Sequence, residues 1–309
     1  MKKVLVIGSL NLDIVIQVHH VPVVGETILA EHSYRNPGGK GANQAYATAK
    51  LGGDVTFVGA VGEDETADIL LTNLRSVGVN IEHVIVNQEQ ATGTAIIAVD
   101  EVGNNNIIVM AGANSTLSCN DIEQLRNVVQ ESDIVVLQLE IPMETVLYVA
   151  KMANEYGKTI FLDPAPVPEF IDEKLYQYVD IMKPNETELQ MLTGMKTDTK
   201  ENICKAAKKL RDYGVKNVIV TLGEKGVYAD TQEAGIFQVE PIEVSAIDST
   251  AAGDSFTAAL VARLAENTDI KESIEFANKV ASIVVTRKGA QSSIPSLEEV
   301  NQLFSLAFF

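Results

Sequence analysis

In the C-terminal half of the chain, Ile247-Asp248-Ser249-Thr250-Ala251-Ala252-Gly253-Asp254-Ser255-Phe256 leads into a helical run from Thr257 to Leu264. Small residues ending in glycine at a helix start let successive backbone N–H groups point at one place, and the helix dipole adds to their field. A cradle formed by the backbone of Ala251, Ala252, Gly253 and Asp254 suits a phosphate, or the charge that develops as a phosphoryl group is transferred. A carboxylate at Asp254 beside that cradle can take the proton of a substrate hydroxyl as the oxygen attacks phosphorus. The same spacing also fits an ordinary helix N-terminus whose dipole Asp254 complements.

A second glycine-rich stretch, Asn36-Pro37-Gly38-Gly39-Lys40-Gly41-Ala42-Asn43-Gln44-Ala45, precedes a helix expected over Tyr46 to Leu51. It is not a Walker A loop, because glycine follows Lys40, and Gln44 stands where a GxGxxG fingerprint needs its last glycine. Glycines here let the backbone approach a ligand closely, while Lys40 and Asn43 can hydrogen-bond to hydroxyls. A structural turn before a helix would use the same residues. Lys183-Pro184-Asn185-Glu186-Thr187-Glu188 has the spacing of a capping box, with Asn185 as the cap and Glu188 closing it.

These segments need a scaffold, and the sequence reads as strands alternating with helices. Val55–Val58, Asp133–Leu137, Thr159–Leu162 and Asn217–Val220 are apolar runs of the kind buried on both faces of a sheet. Helical periodicity fills the gaps, as over Asp121–Val129, where Ser118 and Asp121 are spaced as a capping box, and over Ala206–Leu210. The alternation predicts an α/β fold with a mostly parallel central sheet and helices on both faces, whose ligands bind beyond the carboxyl ends of the strands. Two regions break the rhythm. Leu12–Asn36 and Thr94–Ala111 hold the β-branched runs Ile14–Val18, Ala95–Val99 and Ile107–Met110, with a turn at Gly103-Asn104-Asn105. They predict either a small antiparallel β lid standing off the body or an antiparallel extension of the main sheet. We expect a single domain over residues 1–309, its lid spanning approximately 12–37 and 92–112.

The chain has 309 residues and a net charge of -18, which argues against a nucleic-acid or anionic-membrane partner and requires any nucleotide site to build its own local positive field. No apolar stretch is long enough to span a bilayer, and the short run Val4–Ile7 reads as a buried first strand rather than a leader. Cys119 and Cys204 lie far apart, as expected of partly buried thiols in a reducing cytoplasm, and the four histidines form no zinc-ligand pattern.

Gly38-Gly39-Lys40-Gly41-Ala42-Asn43 together with Asp248-Ser249-Thr250-Ala251-Ala252-Gly253-Asp254 resembles the paired signatures of the ribokinase (PfkB) family of carbohydrate kinases. The similarity runs from Gly8-Ser9-Leu10-Asn11-Leu12-Asp13 to Thr286-Arg287-Lys288-Gly289-Ala290-Gln291. It implies a Rossmann-like fold and ATP-dependent phosphorylation of the terminal hydroxymethyl group of a pentose, with Asp254 as the base. It further implies Asn11, Asp13, Gly39, Lys40, Asn43, Glu140 and Asp254 as sugar ligands, a residue set that can accept from and donate to vicinal hydroxyls. For the nucleotide it implies Asn185, Thr221, Gly223, Gly226 and Gly253, with Asn278 near the adenine, and Asn185 and Glu188 organising the water shell of Mg²⁺. It also implies a K⁺ ion between two loops, held by Asp248, Thr250, Val284, Arg287, Gly289 and Ser293, mostly through backbone carbonyls. Kinases of other sugars, sugar phosphates or nucleosides remain open, as does a non-catalytic sugar-binding protein. The exposed face of a β lid also invites a homodimer.

Overall fold

The computed structural model describes residues 1–101 and 103–305. Its centre is an eight-stranded sheet in the order Gly235–Val239, Val227–Thr231, Asn217–Thr221, Ile181–Met182, Thr159–Leu162, Ile134–Leu137, Lys3–Ile7, Asp54–Val58. From Asn217–Thr221 to Asp54–Val58 every neighbouring pair is parallel, and only the two pairings at the other edge, made on either side of Val227–Thr231, are antiparallel. Alternate side chains of the buried strands serve different faces. Val4, Val6, Ile134, Val136 and Phe161 enter one core, with the helices Lys40–Lys50, Glu65–Ser76, Ala252–Ala265 and Ile270–Val284. Leu5, Ile7, Val135, Leu137, Ile160 and Leu162 enter the other, with Met143–Glu155 and Lys200–Asp212. Two buried faces are why these runs lack polar alternation.

Each helix carries the burial its position demands. In Lys200–Asp212 only Ile203, Ala206, Ala207 and Leu210 are buried, one stripe at helical spacing, and the Thr199 side chain caps the N-terminus by accepting from the Asn202 amide. Ala252–Ala265 is instead buried nearly all round and lies against Lys40–Lys50 and Ile270–Val284. Both expected capping boxes form, Ser118 with Asp121 and Asn185 with Glu188. The helix expected over Asp121–Val129 is interrupted at Leu125, giving Cys119–Gln124 and Arg126–Glu131. The helix expected from Tyr46 begins earlier, at Lys40, so Lys40 and Asn43 lie in its first turn.

The two irregular regions form a separate four-stranded sheet in the order His32–Gly38, Asn11–Gln17, Gly93–Val99, Asn105–Met110. The outer pairs are antiparallel as expected, but the central pair is parallel, Asn11 facing Gly93 and Gln17 facing Val99. The long stretch of body between these two strands removes the hairpin constraint that would force antiparallel pairing. The turn after Val99 is tied by the Asp100 amide donating to the Asn104 carbonyl and the Asn104 amide donating to the Asp100 carboxylate. Val102, within the expected lid, lies outside the described residues, as do residues 306–309. A short parallel pair, Ala60–Gly62 with Ile85–Asn87, joins the two sheets' neighbourhoods and had no signal in the sequence. Among the described residues no helix is long and apolar enough to cross a membrane. Phe161 is fully buried at the middle of the main sheet. Phe161→Ala should lower unfolding stability by about 3–5 kcal/mol in urea titrations, the cost of a large core cavity.

Candidate active site

Past the carboxyl ends of the parallel strands, the helices Lys40–Lys50 and Ala252–Ala265 abut at their N-terminal turns, and Asp254 sits at the junction, buried. Asn43 Nδ2 donates to Asp254 Oδ2 at 2.9 Å and Gln44 Nε2 to Oδ1 at 3.1 Å. Gln44 also donates to Asp163 Oδ2 at 2.9 Å, and that same oxygen receives Lys183 Nζ at 3.0 Å and Thr257 Oγ1 at 3.3 Å. Lys183 additionally donates to the Gly253 carbonyl at 3.3 Å. A carboxylate, an amide and an ammonium are thus joined beneath the first turn of the helix. Ala251, its N-cap, holds φ at 59°, a left-handed conformation that a residue with a Cβ adopts at a cost. The Ala252 amide turns to the Ser249 carbonyl, whereas those of Gly253 and Asp254 meet no acceptor among the described residues. The open cradle is therefore narrower than the Ala251–Asp254 run.

On one side of Asp254 lie the residues expected to bind sugar. Asn11 and Asp13 are in the strand Asn11–Gln17 of the smaller sheet, beyond the end of the first main strand rather than at it. Gly39 has φ of 86°, and a Cβ there would come within 2.7 Å of the Asn11 amide, so this turn requires glycine. The Asp13 carboxylate lies across Gly38, where a Cβ would stand 2.2 Å from Oδ2. Glu140 Oε2 accepts from Ser9 Oγ at 2.5 Å and from the Lys40 amide at 3.0 Å, which pins it at the start of the helix. Burial raises the Asp13 carboxyl to about 7, and Glu140 and Asp254 push in the same direction. Burial opposes the charge on Lys40, yet Asp254, Asp163, Glu140 and Glu188 outweigh it and raise Lys40 above the ordinary lysine value.

On the other side opens a cavity of about 960 Å³. Asn185, Glu188, Thr221, Gly223, Gly226, Gly253 and Asn278, the residues expected around a nucleotide, all line it, together with Lys40, Asp163, Lys183 and Asp254. Its walls toward the helix Ile270–Val284 are apolar at Ile242, Val244, Ala281 and Val285. Asn278 does not leave its amide free, since Nδ2 donates to the Glu240 carbonyl at 2.9 Å and so anchors the segment that walls the cavity. Burial raises the Glu188 carboxyl, against the pull of Lys183.

The loops carrying Asp248 and Gly289 meet through one side chain. Asp248 Oδ1 accepts from the Thr250 amide at 2.9 Å and Thr250 Oγ1 at 2.6 Å, and Oδ2 accepts from the Gly289 amide at 2.9 Å. Burial works against ionisation of Asp248, but the bonds from Thr250 and Gly289 hold its carboxyl below the usual range. Arg287 Nη1 reaches the Ser293 carbonyl at 3.5 Å and its guanidinium pairs with Glu299, while its amide donates to the Val284 carbonyl at 3.0 Å. A carbonyl has two lone pairs, so Val284 and Ser293 each retain one for a cation. Among the described residues no group of three His, Cys, Asp or Glu could hold a metal ion; the atoms that these two loops offer are oxygens, many of them backbone, of the kind that suits a hard cation.

Sequence reasoning passed over Gln44, Asp163, Lys183, Asn114 and Gln291. Asn114 clamps the Leu10 amide and carbonyl and donates to Asn11 Oδ1 at 2.9 Å, and Gln291 donates to Asn43 Oδ1 at 3.0 Å. A signal existed for Asp163 and Lys183, each following the end of an apolar parallel strand where ligands collect. For the amides there was none. The raised Asp13 carboxyl has a stability consequence. Unfolded Asp13 ionises near 3.8 and folded Asp13 near 7, so the fold binds the extra proton between those values and loses stability as pH rises through them. Asp13→Asn should therefore raise the melting temperature of the ligand-free protein at pH 8 and change it little at pH 4, and an equal shift at both would contradict this.

The description "pfkB family carbohydrate kinase" matches residues 1–297. The chain is 38% identical over 303 residues to a ribokinase of Staphylococcus aureus, covering 97% of this chain and 99% of that one. It is also 38% identical over 301 residues to a deoxyribokinase of Salmonella typhi, covering 97% and 98%. A solved structure of Arabidopsis thaliana ribokinase, complexed with ribose and ATP, superposes with a TM-score of 0.91 at 36% identity over 98% of both chains. A family match over residues 1–297, with relatives 38% identical over nearly the whole of both chains and the same fold, makes this chain a member of the pfkB family of carbohydrate kinases.

Proposed function

We propose that the protein is a ribokinase, transferring the γ-phosphoryl group of ATP to the 5-hydroxyl of D-ribose to give D-ribose 5-phosphate and ADP. The observation that carries the reading is the position of Asp254, which is bonded to Asn43 on the sugar side and lines the nucleotide cavity on the other. Asn11, Asp13, Gly39, Lys40, Asn43 and Glu140 bind the sugar hydroxyls. Asp254 takes the proton of the 5-hydroxyl, the freed oxygen attacks the γ-phosphorus, and the bond from that phosphorus to the ADP oxygen breaks. The first-turn backbone of Ala251–Asp254, with the Gly253 and Asp254 amides as its open donors, steadies the transferring group. Asn185, Glu188, Thr221, Gly223, Gly226 and Gly253 hold the nucleotide, while Asn278 acts through Glu240 by shaping the adenine wall.

The ions fit the donors present. Mg²⁺ accompanying ATP, its waters ordered by Asn185 and Glu188, would neutralise phosphate charge, and its charge would oppose the desolvation that raises Glu188. K⁺ held by Asp248, Thr250 and the carbonyls of Val284, Arg287, Gly289 and Ser293 would supply a fixed positive charge behind the cradle. The residues themselves perform the binding and the proton transfer.

We further assign residues 1–309 to one domain in which 12–37 and 92–112 act as a lid, and we assign the protein to the cytoplasm, where ATP is available. The outer lid strand Asn105–Met110 is exposed along its whole length, Ile107, Ile108, Val109 and Met110 each by about half or more. An apolar edge strand of this kind calls for cover, and pairing with a second lid would give a homodimer. A second reading keeps the chemistry and changes the sugar, since a relative of equal identity is named a deoxyribokinase.

ADP production from MgATP over ribose, deoxyribose and fructose, in potassium and then in sodium, tests the assignment. We expect turnover with ribose that falls in sodium, and preference for deoxyribose would move the substrate while keeping the kinase. Asp254→Asn should still bind ribose by calorimetry but turn over roughly two to four orders of magnitude more slowly; near-native turnover would remove Asp254 as the base. Sedimentation should find twice the 33.4 kDa chain mass for the native protein and the single mass for Ile108→Lys. A native protein that sediments as a monomer at micromolar concentration would refute the lid dimer.

A further inference from the structure

Gln44 lies in the helix Lys40–Lys50 that the glycine-rich turn starts, has no part in the reading above, and is fully buried. Every polar atom of its side chain is committed. One amide hydrogen goes to Asp254 Oδ1 at 3.1 Å and the other to Asp163 Oδ2 at 2.9 Å, while its carbonyl oxygen accepts from Gln138 Nε2 at 2.6 Å. An amide facing two carboxylates must present its NH₂ group to both, so Gln138 and the two acids leave Gln44 a single orientation. Asp163 is itself fixed by the Lys183 ammonium and Thr257, and Lys183 is bonded to the carbonyl of Gly253 in the cradle turn. The chain Asp254–Gln44–Asp163–Lys183–Gly253 therefore closes on itself, linking the proton acceptor to the backbone turn that steadies the transferring phosphoryl group.

The other donor to Asp254 is of a different kind. Asn43 is one of the proposed sugar ligands, and an arriving hydroxyl can exchange with its bond to Oδ2. Gln44 has no exposed surface and no route to the sugar, so its bond to Oδ1 survives ligand binding. We infer that Gln44 is a positioning residue for phosphoryl transfer, holding the Asp254 carboxylate at a constant attitude to the incoming hydroxyl and to the Gly253 turn through its bridge to Asp163. This rests on Asp254 being the base. Gln44 touches neither substrate, so its loss should appear in turnover and not in binding.

Gln44→Leu keeps the side-chain volume and removes the bridge. We expect kcat to fall roughly 10- to 100-fold, the scale of a small misplacement of a reacting group. Calorimetric Kd values for ribose and for a non-hydrolysable ATP analogue should stay within about threefold of native, as expected for a residue that contacts neither ligand. Gln138→Leu, which frees the Gln44 carbonyl without touching either carboxylate, should lower kcat in the same way but less. A folded Gln44→Leu protein with native kcat, or one whose loss lies in ribose affinity, would overturn the inference. If Gln44→Leu does not fold, native kcat in Gln138→Leu would overturn it instead. Asp254→Asn separates the two claims: an active Asp254→Asn protein removes the base, whereas an inactive one beside an active Gln44→Leu removes only the positioning role.

Discussion

The buried Asp163–Lys183 pair, both side chains almost without exposure and 3.0 Å apart, is the interaction around which this site is organised. In a low-dielectric interior neither charge is tolerable alone, so each enforces the placement of the other. Asp163 closes one strand of the parallel sheet and Lys183 the next, and their contact brings two loops together over the carboxyl ends of the sheet. From Asp163 the constraint passes through Gln44 to Asp254, and from Lys183 to Gly253. One oxygen, Asp163 Oδ2, takes three donors, while Oδ1 meets none among the described residues.

A chain with a net charge of -18 has to bind an anionic nucleotide. Lys183, buried, and Lys40, partly buried, bring cationic ends into the cavity, and the backbone amides of Gly253 and Asp254 add partial positive charge without a counter-ion. The acids around Lys40 hold it above the ordinary lysine value. Around Asp13 the balance reverses: burial raises its carboxyl to about 7, and Glu140 and Asp254 push the same way. A polyol can relieve such crowding by donating hydroxyl hydrogens, so the site is built to be more comfortable occupied than empty.

The lid sheet shows how a local signal and a tertiary outcome part company. Its strands were legible as β-branched runs, and their separation from the main sheet was one of two readings. Parallel pairing of Asn11–Gln17 with Gly93–Val99 was not legible, because register between strands so far apart is decided by where each leaves the body. The break at Leu125 is of the same kind, since packing on the second core and not periodicity decided where the helix yielded.

What the sequence by itself determined is local. Apolar runs buried on both faces specified the parallel strands, cap spacing specified the starts of two helices, and glycine at positions 38 and 39 specified the close turn beside Asp13 and Asn11. The two signatures also carried the family, because backbone conformation and reactive side chain are both written in short spans. The tertiary structure alone decided how those spans meet. Gln44 and Gln291 have nothing in their neighbours to mark them, since an amide is as compatible with solvent as with a carboxylate. Their meaning comes from partners about 90 to nearly 250 residues away, and only the packing of two helix N-termini over the sheet brings those partners within hydrogen-bonding reach.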